Sequence, residues 1–153
     1  MSKRCPQDGG FIGESGCTHP NHKHSALVEK ILSAKEPRLI SVKDANNALD
    51  EGFYVKDPSG QRVGFGKALL RHLENHHTQE DSNGRKMRLQ FAVKTVMAPD
   101  CVERKHRGYE GRTAYTKAFN NFGILVLSGK GTDEIEYVFD LIPKRNLRKE
   151  KKG

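Results

Sequence analysis

The chain has no apolar run near the ~18–20 residues that cross a membrane, so a spanning segment is excluded. Its opening, MSKRCPQDGG, has no apolar stretch of the secretory-signal kind, which predicts a cytoplasmic protein without a signal peptide. Cysteine is scarce. Cys5, Cys17 and Cys101 are odd in number, scattered and without a CxxC pair, so they form no disulfide framework and fit a reducing compartment. Several signatures are missing: there is no Walker A loop, no GxGxxG, and no GxSxG of a serine hydrolase. HLENH is not the HExxH of a zinc protease, and the carboxylates are dispersed rather than gathered as in a two-metal nuclease. Acidic residues are outnumbered by 27 Lys and Arg to 19 Asp and Glu, a net charge of +8. That excess draws anions and makes a polyanion the expected partner, with RNA first; a merely solvated lysine surface is the alternative.

With 35% hydrophobic and 30% charged residues over 153 positions, one domain with a modest core is expected. Residues 1–23, rich in Gly, Pro, Cys and His, read as an arm or a small metal-bound knuckle. Residues 24–145 carry the folding pattern, and 146–153 form a basic tail. Leu27, Val28, Ile31 and Leu32 mark a short helix with Ser25 as N-cap and Pro37 after it. RLISV (38–42) reads as a short strand, and Asp44 to Glu51 as a helix stopped by Gly52. FYVK and QRVGF flank DPSG as a hairpin. Gly66 to His77 reads as a helix burying Leu69, Leu70 and Leu73, and QEDSNG (79–84) as a polar loop. Leu89, Ala92, Val93, Val96 and Met97 form a helical stripe closed by Pro99, although alternation from Met87 also permits a strand. Three strands follow: RTAYTKAF, GILVLSG and EIEYVFDLI. In the last, Ile135, Tyr137, Phe139 and Leu141 share one face, against Glu136, Val138 and Asp140. The fold expected is α+β, with N-terminal helices and a β-hairpin packed on a C-terminal antiparallel β-meander.

Three constellations could carry chemistry. His72 and His76, at i and i+4, lie on one helix face and can share acid–base work near neutral pH; a pair of surface histidines is the alternative. Tyr115 and Lys117 share a strand face, with Arg112 nearby and Lys144 and Arg145 past the last strand. Cations beside a phenol suit a phosphate that gains charge in a transition state. The alternative is a solvated strand face, and Phe119 on the same face puts the polar pair at the rim of a buried patch. Cys5, Cys17, His19 and His22, with His24 close by, are zinc-ligand types that would staple the polar arm, against a flexible His-rich arm. No resident cofactor is expected for catalysis; zinc, if bound, would be structural. With no cluster of carboxylates for metals, a phosphodiester would be cut by the RNA 2′-hydroxyl itself, which calls for a base, an acid and cations.

The order of GFYVKDPSGQRVGF, LLRHLENHH, TVMAPDCV, YTKAF, ILVL and EYVFDLIPKR resembles the phage-borne members of the barnase–EndoU–colicin RNase–RelE superfamily, over roughly two thirds of the chain from Gly52 to Arg145. The resemblance implies helices on an antiparallel sheet and a metal-independent, toxin-like ribonuclease. By position, His72 and His76 match the paired helix histidines, and Tyr115 and Lys117 the polar positions of the first meander strand. Lys144 and Arg145 stand where the last strand commonly ends in hydroxyl or basic residues; EYVFDLIPKR departs in having no Ser or Thr. The function expected is therefore RNA cleavage, with His72, His76, Tyr115 and Lys117 catalytic and Arg112, Lys144 and Arg145 binding substrate. The alternatives are a non-catalytic nucleic-acid-binding module and a phage structural accessory protein. A protein inhibitor or a phage-head protein is the further partner to expect.

Overall fold

Hydroxyl side chains set where three of the helices begin. The computed structural model describes residues 25–104, 112–120, 122–130 and 135–145. Ser25 accepts from the Val28 N–H at the start of α1 (Ala26–Ser33), and Ser41 from the Asp44 N–H at the start of α2 (Val42–Glu51). Thr78 accepts from the Asp81 N–H to open α4 (Gln79–Met87). Each such cap is worth about 1 kcal/mol. Gly52 stops α2 at φ 82°, where its N–H reaches the Ala48 carbonyl at 2.9 Å. Between α2 and α4 lie the hairpin β1 (Phe53–Lys56) and β2 (Arg62–Phe65), and then α3 (Lys67–His76). After α4 come α5 (Leu89–Met97), β3 (Cys101–Arg104), β4 (Arg112–Ala118), β5 (Phe122–Lys130) and β6 (Glu136–Arg145).

The strands form one six-stranded mixed sheet in the order β1-β2-β6-β5-β4-β3. The C-terminal meander is antiparallel, as expected. The hairpin does not sit on it but extends it, because β2 pairs in parallel with β6 at Val63–Glu136 and Gly64–Tyr137. β2 stops there and α3 packs against β6 instead. The core lies between one sheet face and the helices, with Leu49, Phe53, Phe65, Leu69, Leu73, Leu89, Val126 and Leu141 fully buried. No helix among the described residues is long and apolar enough to cross a membrane. The α+β class read from the sequence is the class observed.

Four local expectations are corrected. RLISV is not a strand: Arg38 and Ile40 donate singly to Gln90 Oε1 and the Met87 carbonyl, and Ser41 is occupied as a cap. QEDSNG is not a loop but the body of α4, held by Gln79–Asn83 and Asp81–Arg85 pairs at i, i+4. CVER, for which no element is read from the sequence, is a strand that extends the meander to four, and the stretch from Met87 is no strand but the end of α4, a turn at Arg88 (φ −97°, ψ 20°) and the start of α5. The alternation read for EIEYVFDLI fails in its middle. Leu127 pairs with Asp140 but Ser128 pairs with Val138, so Phe139 is an extra residue, a β-bulge. Val138 and Leu141 both face the core, and Phe139 is displaced from it.

Candidate functional site: a histidine cluster beside the β6 bulge

Alternation with Leu141 fixes where Asp140 points. Tyr115, Val126 and Leu141 are neighbours on the core face, so Ala114, Leu127 and Asp140 lie on the other. At that place α3 runs out. His72 sits in its last full turn, His76 ends it, and His77 leaves it with an extended backbone (φ −140°, ψ 159°). His72 Nε2 lies 3.3 Å from Asp140 Oδ2, and His77 Nε2 lies 3.7 Å from Asp140 Oδ1. The His72 ring is 4.7 Å from the His76 ring and 5.4 Å from the His77 ring, centroid to centroid. His76 is exposed, whereas the side chains of His72 and His77 are 26% and 16% exposed.

Charged neighbours hold the cluster from behind. Arg85 donates through its guanidinium to Asp140 Oδ1 at 3.1 Å, to the Leu141 carbonyl at 2.9 Å and to Asp81 at 3.1 Å. Asp81 also receives His77 Nδ1 at 2.8 Å. With Nδ1 engaged, His77 Nε2 is buried and has no hydrogen-bond partner. Burial lowers the pKa of His72; Asp140 works against that, and the two neighbouring histidines reinforce it.

In front of the cluster stands Phe139. His72 meets its ring edge-on at 5.8 Å, and the Arg112 guanidinium lies over the same ring at 4.4 Å. Arg112 pairs with Gly129 across β5, where a Cβ would press on Arg112 Cδ at 3.3 Å. A glycine there leaves room for the arginine to reach across β5. A cleft of about 380 Å³, lined by Asp81, Arg85, Arg88 and Pro143, adjoins the cluster. A hollow of about 720 Å³ lined by α1, α2 and the segment between them shares no residue with the cluster, and its buried Gln90 is already bonded to the Arg38 N–H.

The structure thus brings together His72, His76 and Arg112 of the residues singled out from sequence. It does not bring Tyr115 to them. Tyr115 and Lys117 do share a face, but it is the core face, and Tyr115 is fully buried rather than at a rim. Its hydroxyl donates to Asp57 Oδ2 at 2.8 Å, and burial together with that carboxylate raises its pKa well above the ordinary phenol value. Lys117 pairs with Asp100 at 3.6 Å. Lys144 is half-buried near the end of β6. The side chain of Arg145, the ligand set Cys5, Cys17, His19 and His22, and the basic tail lie outside the described residues.

Compared with protein-family models, with curated proteins and with solved structures, the chain matches none.

Sequence reasoning missed His77, Asp140, Asp81 and Arg85. His77 is visible as the second half of an HH pair, but strict i, i+4 spacing selects His76 instead. Asp140 is a lone acid in the apolar run VFDLI, and nothing local ties it to a helix. Asp81 falls in the segment read as a loop (79–84) and Arg85 just past it, where an i, i+4 pair has no meaning.

Proposed function

We propose that this chain is a ribonuclease that cuts RNA by attack of the 2′-hydroxyl, with His72 and His76 exchanging the protons and no metal at the reacting phosphate. The observation that carries the reading is His72, held at Nε2 by the mostly buried Asp140 and facing the exposed ring of His76 at 4.7 Å. Two imidazoles at that distance, one of them oriented by a carboxylate, supply a base and an acid on one side of a phosphate. One imidazole takes the 2′-hydroxyl proton as the 2′-oxygen bonds to phosphorus. The bond from phosphorus to the 5′-oxygen breaks, and the other imidazole gives that oxygen a proton. The products are a 2′,3′-cyclic phosphate and a 5′-hydroxyl. Arg112, across the Phe139 ring from the cluster, neutralises the charge that builds on the phosphate. The net charge of +8 favours the encounter with RNA, and the motif order resembles the barnase–EndoU–colicin RNase–RelE nucleases. Tyr115 and Lys117 have no role here, since Tyr115 is bonded inside the core and Lys117 shares that face.

The test is incubation of the full chain with bulk RNA in excess EDTA, followed by end-group analysis. Fragments ending in 2′,3′-cyclic phosphate are expected. Intact RNA retarded in a salt-dependent way would instead make the chain a binding module, held by phosphate contacts alone.

A further inference from the structure

We propose that His72, His77 and Asp140 bind one divalent transition-metal ion of the zinc type, and that the ion switches off the cleavage proposed above.

One ligand atom from each of the three residues lies within 4.8 Å of the other two. His72 Nε2 lies 3.3 Å from Asp140 Oδ2, close to what the ion requires, and His77 Nε2 lies 3.7 Å from the other oxygen of the same carboxylate, Oδ1. A tetrahedral centre with bonds of about 2.0–2.1 Å separates its ligand atoms by roughly 3.3–3.4 Å. The three come from the last turn of α3, the residue just past it, and the strand beside it, so little rearrangement is needed to close on an ion.

His77 is the observation that points to a metal rather than to a simple polar cluster. Its Nδ1 is bonded to Asp81 at 2.8 Å, while Nε2 is buried without a hydrogen-bond partner and lies near Asp140. A carboxylate on the far nitrogen fixes the tautomer that offers Nε2 as a lone pair, which is how metal-binding histidines are held. An unpartnered buried nitrogen is costly, and an ion would supply its partner. Charge does not oppose this. Asp81 and Asp140 are two negative charges bonded to the guanidinium of Arg85, which holds Asp140 through Oδ1 and leaves Oδ2 toward His72, and Arg112 stands off across the Phe139 ring. Two imidazoles and one carboxylate suit zinc, nickel or copper, and not calcium or magnesium, which take oxygen ligands.

Cleavage does not use His77, but it does use His72. An ion bound to the His72 lone pair removes that ring from proton transfer, and one bound to Asp140 removes the group that orients it. This half of the proposal rests on the ribonuclease reading; the binding half does not.

The experiment is titration of the full chain with Co²⁺ in the absence of RNA, in a Cys5→Ser, Cys17→Ser background that silences thiolate charge transfer from the arm. A visible d–d band from one nitrogen-and-oxygen site is expected, and His77→Ala and Asp140→Asn should each remove one equivalent. Asp81→Asn keeps all three ligands and should weaken binding by roughly 10–100-fold, which a folding defect would not mimic. Equal stoichiometry and affinity in all three variants would overturn the site. With RNA present, Zn²⁺ should stop cleavage at the concentration that fills the site, EDTA should restore it, and Asp81→Asn should move that midpoint by the same factor. Cleavage indifferent to a filled site would overturn the switch. A chain that binds the ion yet never cuts RNA would leave the site standing and sink the ribonuclease reading instead.

Discussion

Replacing His72 and His76 together by alanine is expected to reduce RNA cleavage by roughly 10²–10⁴-fold, the contribution of positioned acid–base groups. The fold should survive. His76 is exposed and His72 lies outside the apolar core, while the helix is anchored by Leu69 and Leu73, both fully buried. Asp140 loses one neighbour but keeps Arg85, so no buried charge is left alone. Thermal unfolding should show a folded double variant that loses on the order of 1 kcal/mol with the contacts His72 makes to Asp140 and Phe139. Initial rates on a labelled RNA, read beside a melting curve, decide the matter. Undiminished cleavage by a folded double variant would remove both histidines from the chemistry.

The largest effect on stability is expected from Asp57→Ala. Asp57 sits at the β1–β2 turn, where its Oδ1 accepts from the Ser59 and Gln61 N–H groups and from the Ser59 hydroxyl. Oδ2 accepts from the Tyr115 hydroxyl at 2.8 Å and from Arg104 at 3.0 Å. β1 and β4 are four strand spacings apart in the sheet order, ~19 Å if the sheet were flat. Contact between the turn and Tyr115 therefore requires a curled sheet, and Asp57 ties its two ends together. Deleting one partner of such a buried charged network costs about 3–5 kcal/mol, or on the order of 10 °C in melting temperature for a chain of this size. pH tests the same group. Burial pushes its carboxyl up, but the bonds from Ser59, Tyr115, Arg104 and Gln61 outweigh this and bring the pKa down to about 2 from 3.8. A carboxyl depressed in the folded state stabilises above its unfolded pKa, here by about 2 kcal/mol. That stability is lost as pH falls through the window between about 4 and about 2. Urea unfolding across that window should show a steeper acid loss in the parent than in Asp57→Ala. Parallel curves would mean that Asp57 is not held by these bonds.

Short-range signals were the legible part of this molecule. Ser25 as a cap, Gly52 as a stop and Asp57-Pro58-Ser59-Gly60 as a turn act within a few residues, and each is found where the sequence puts it. Segments whose state depends on a distant partner were not legible. CVER becomes a strand only because β4 offers Thr113 to Thr116 to pair with, and RLISV, with no ladder beside it, forms no strand and gives its last residue, Val42, to α2. The site divides in the same way. His72 and His76 follow from helix spacing, and Arg112 from its strand. Asp140 lies opposite Leu141, as alternation reads it, but its meeting with His72 depends on how α3 packs on β6; the bulge at Phe139 reverses only the residues before it, turning Val138 inward and Phe139 outward. Tyr115 was misjudged for a related reason. A phenol on a strand reads as a rim group unless the carboxylate that buries it is known, and Asp57 lies 58 positions away.

The central claim is that the substrate's own 2′-hydroxyl does the attacking. A DNA oligonucleotide containing a single ribose, incubated with the full chain in EDTA, isolates that step. Cleavage only on the 3′ side of the ribose, leaving a 2′,3′-cyclic phosphate, is the expected result. Cleavage at the deoxyribose linkages, or an oligonucleotide that is bound but stays whole, would contradict it.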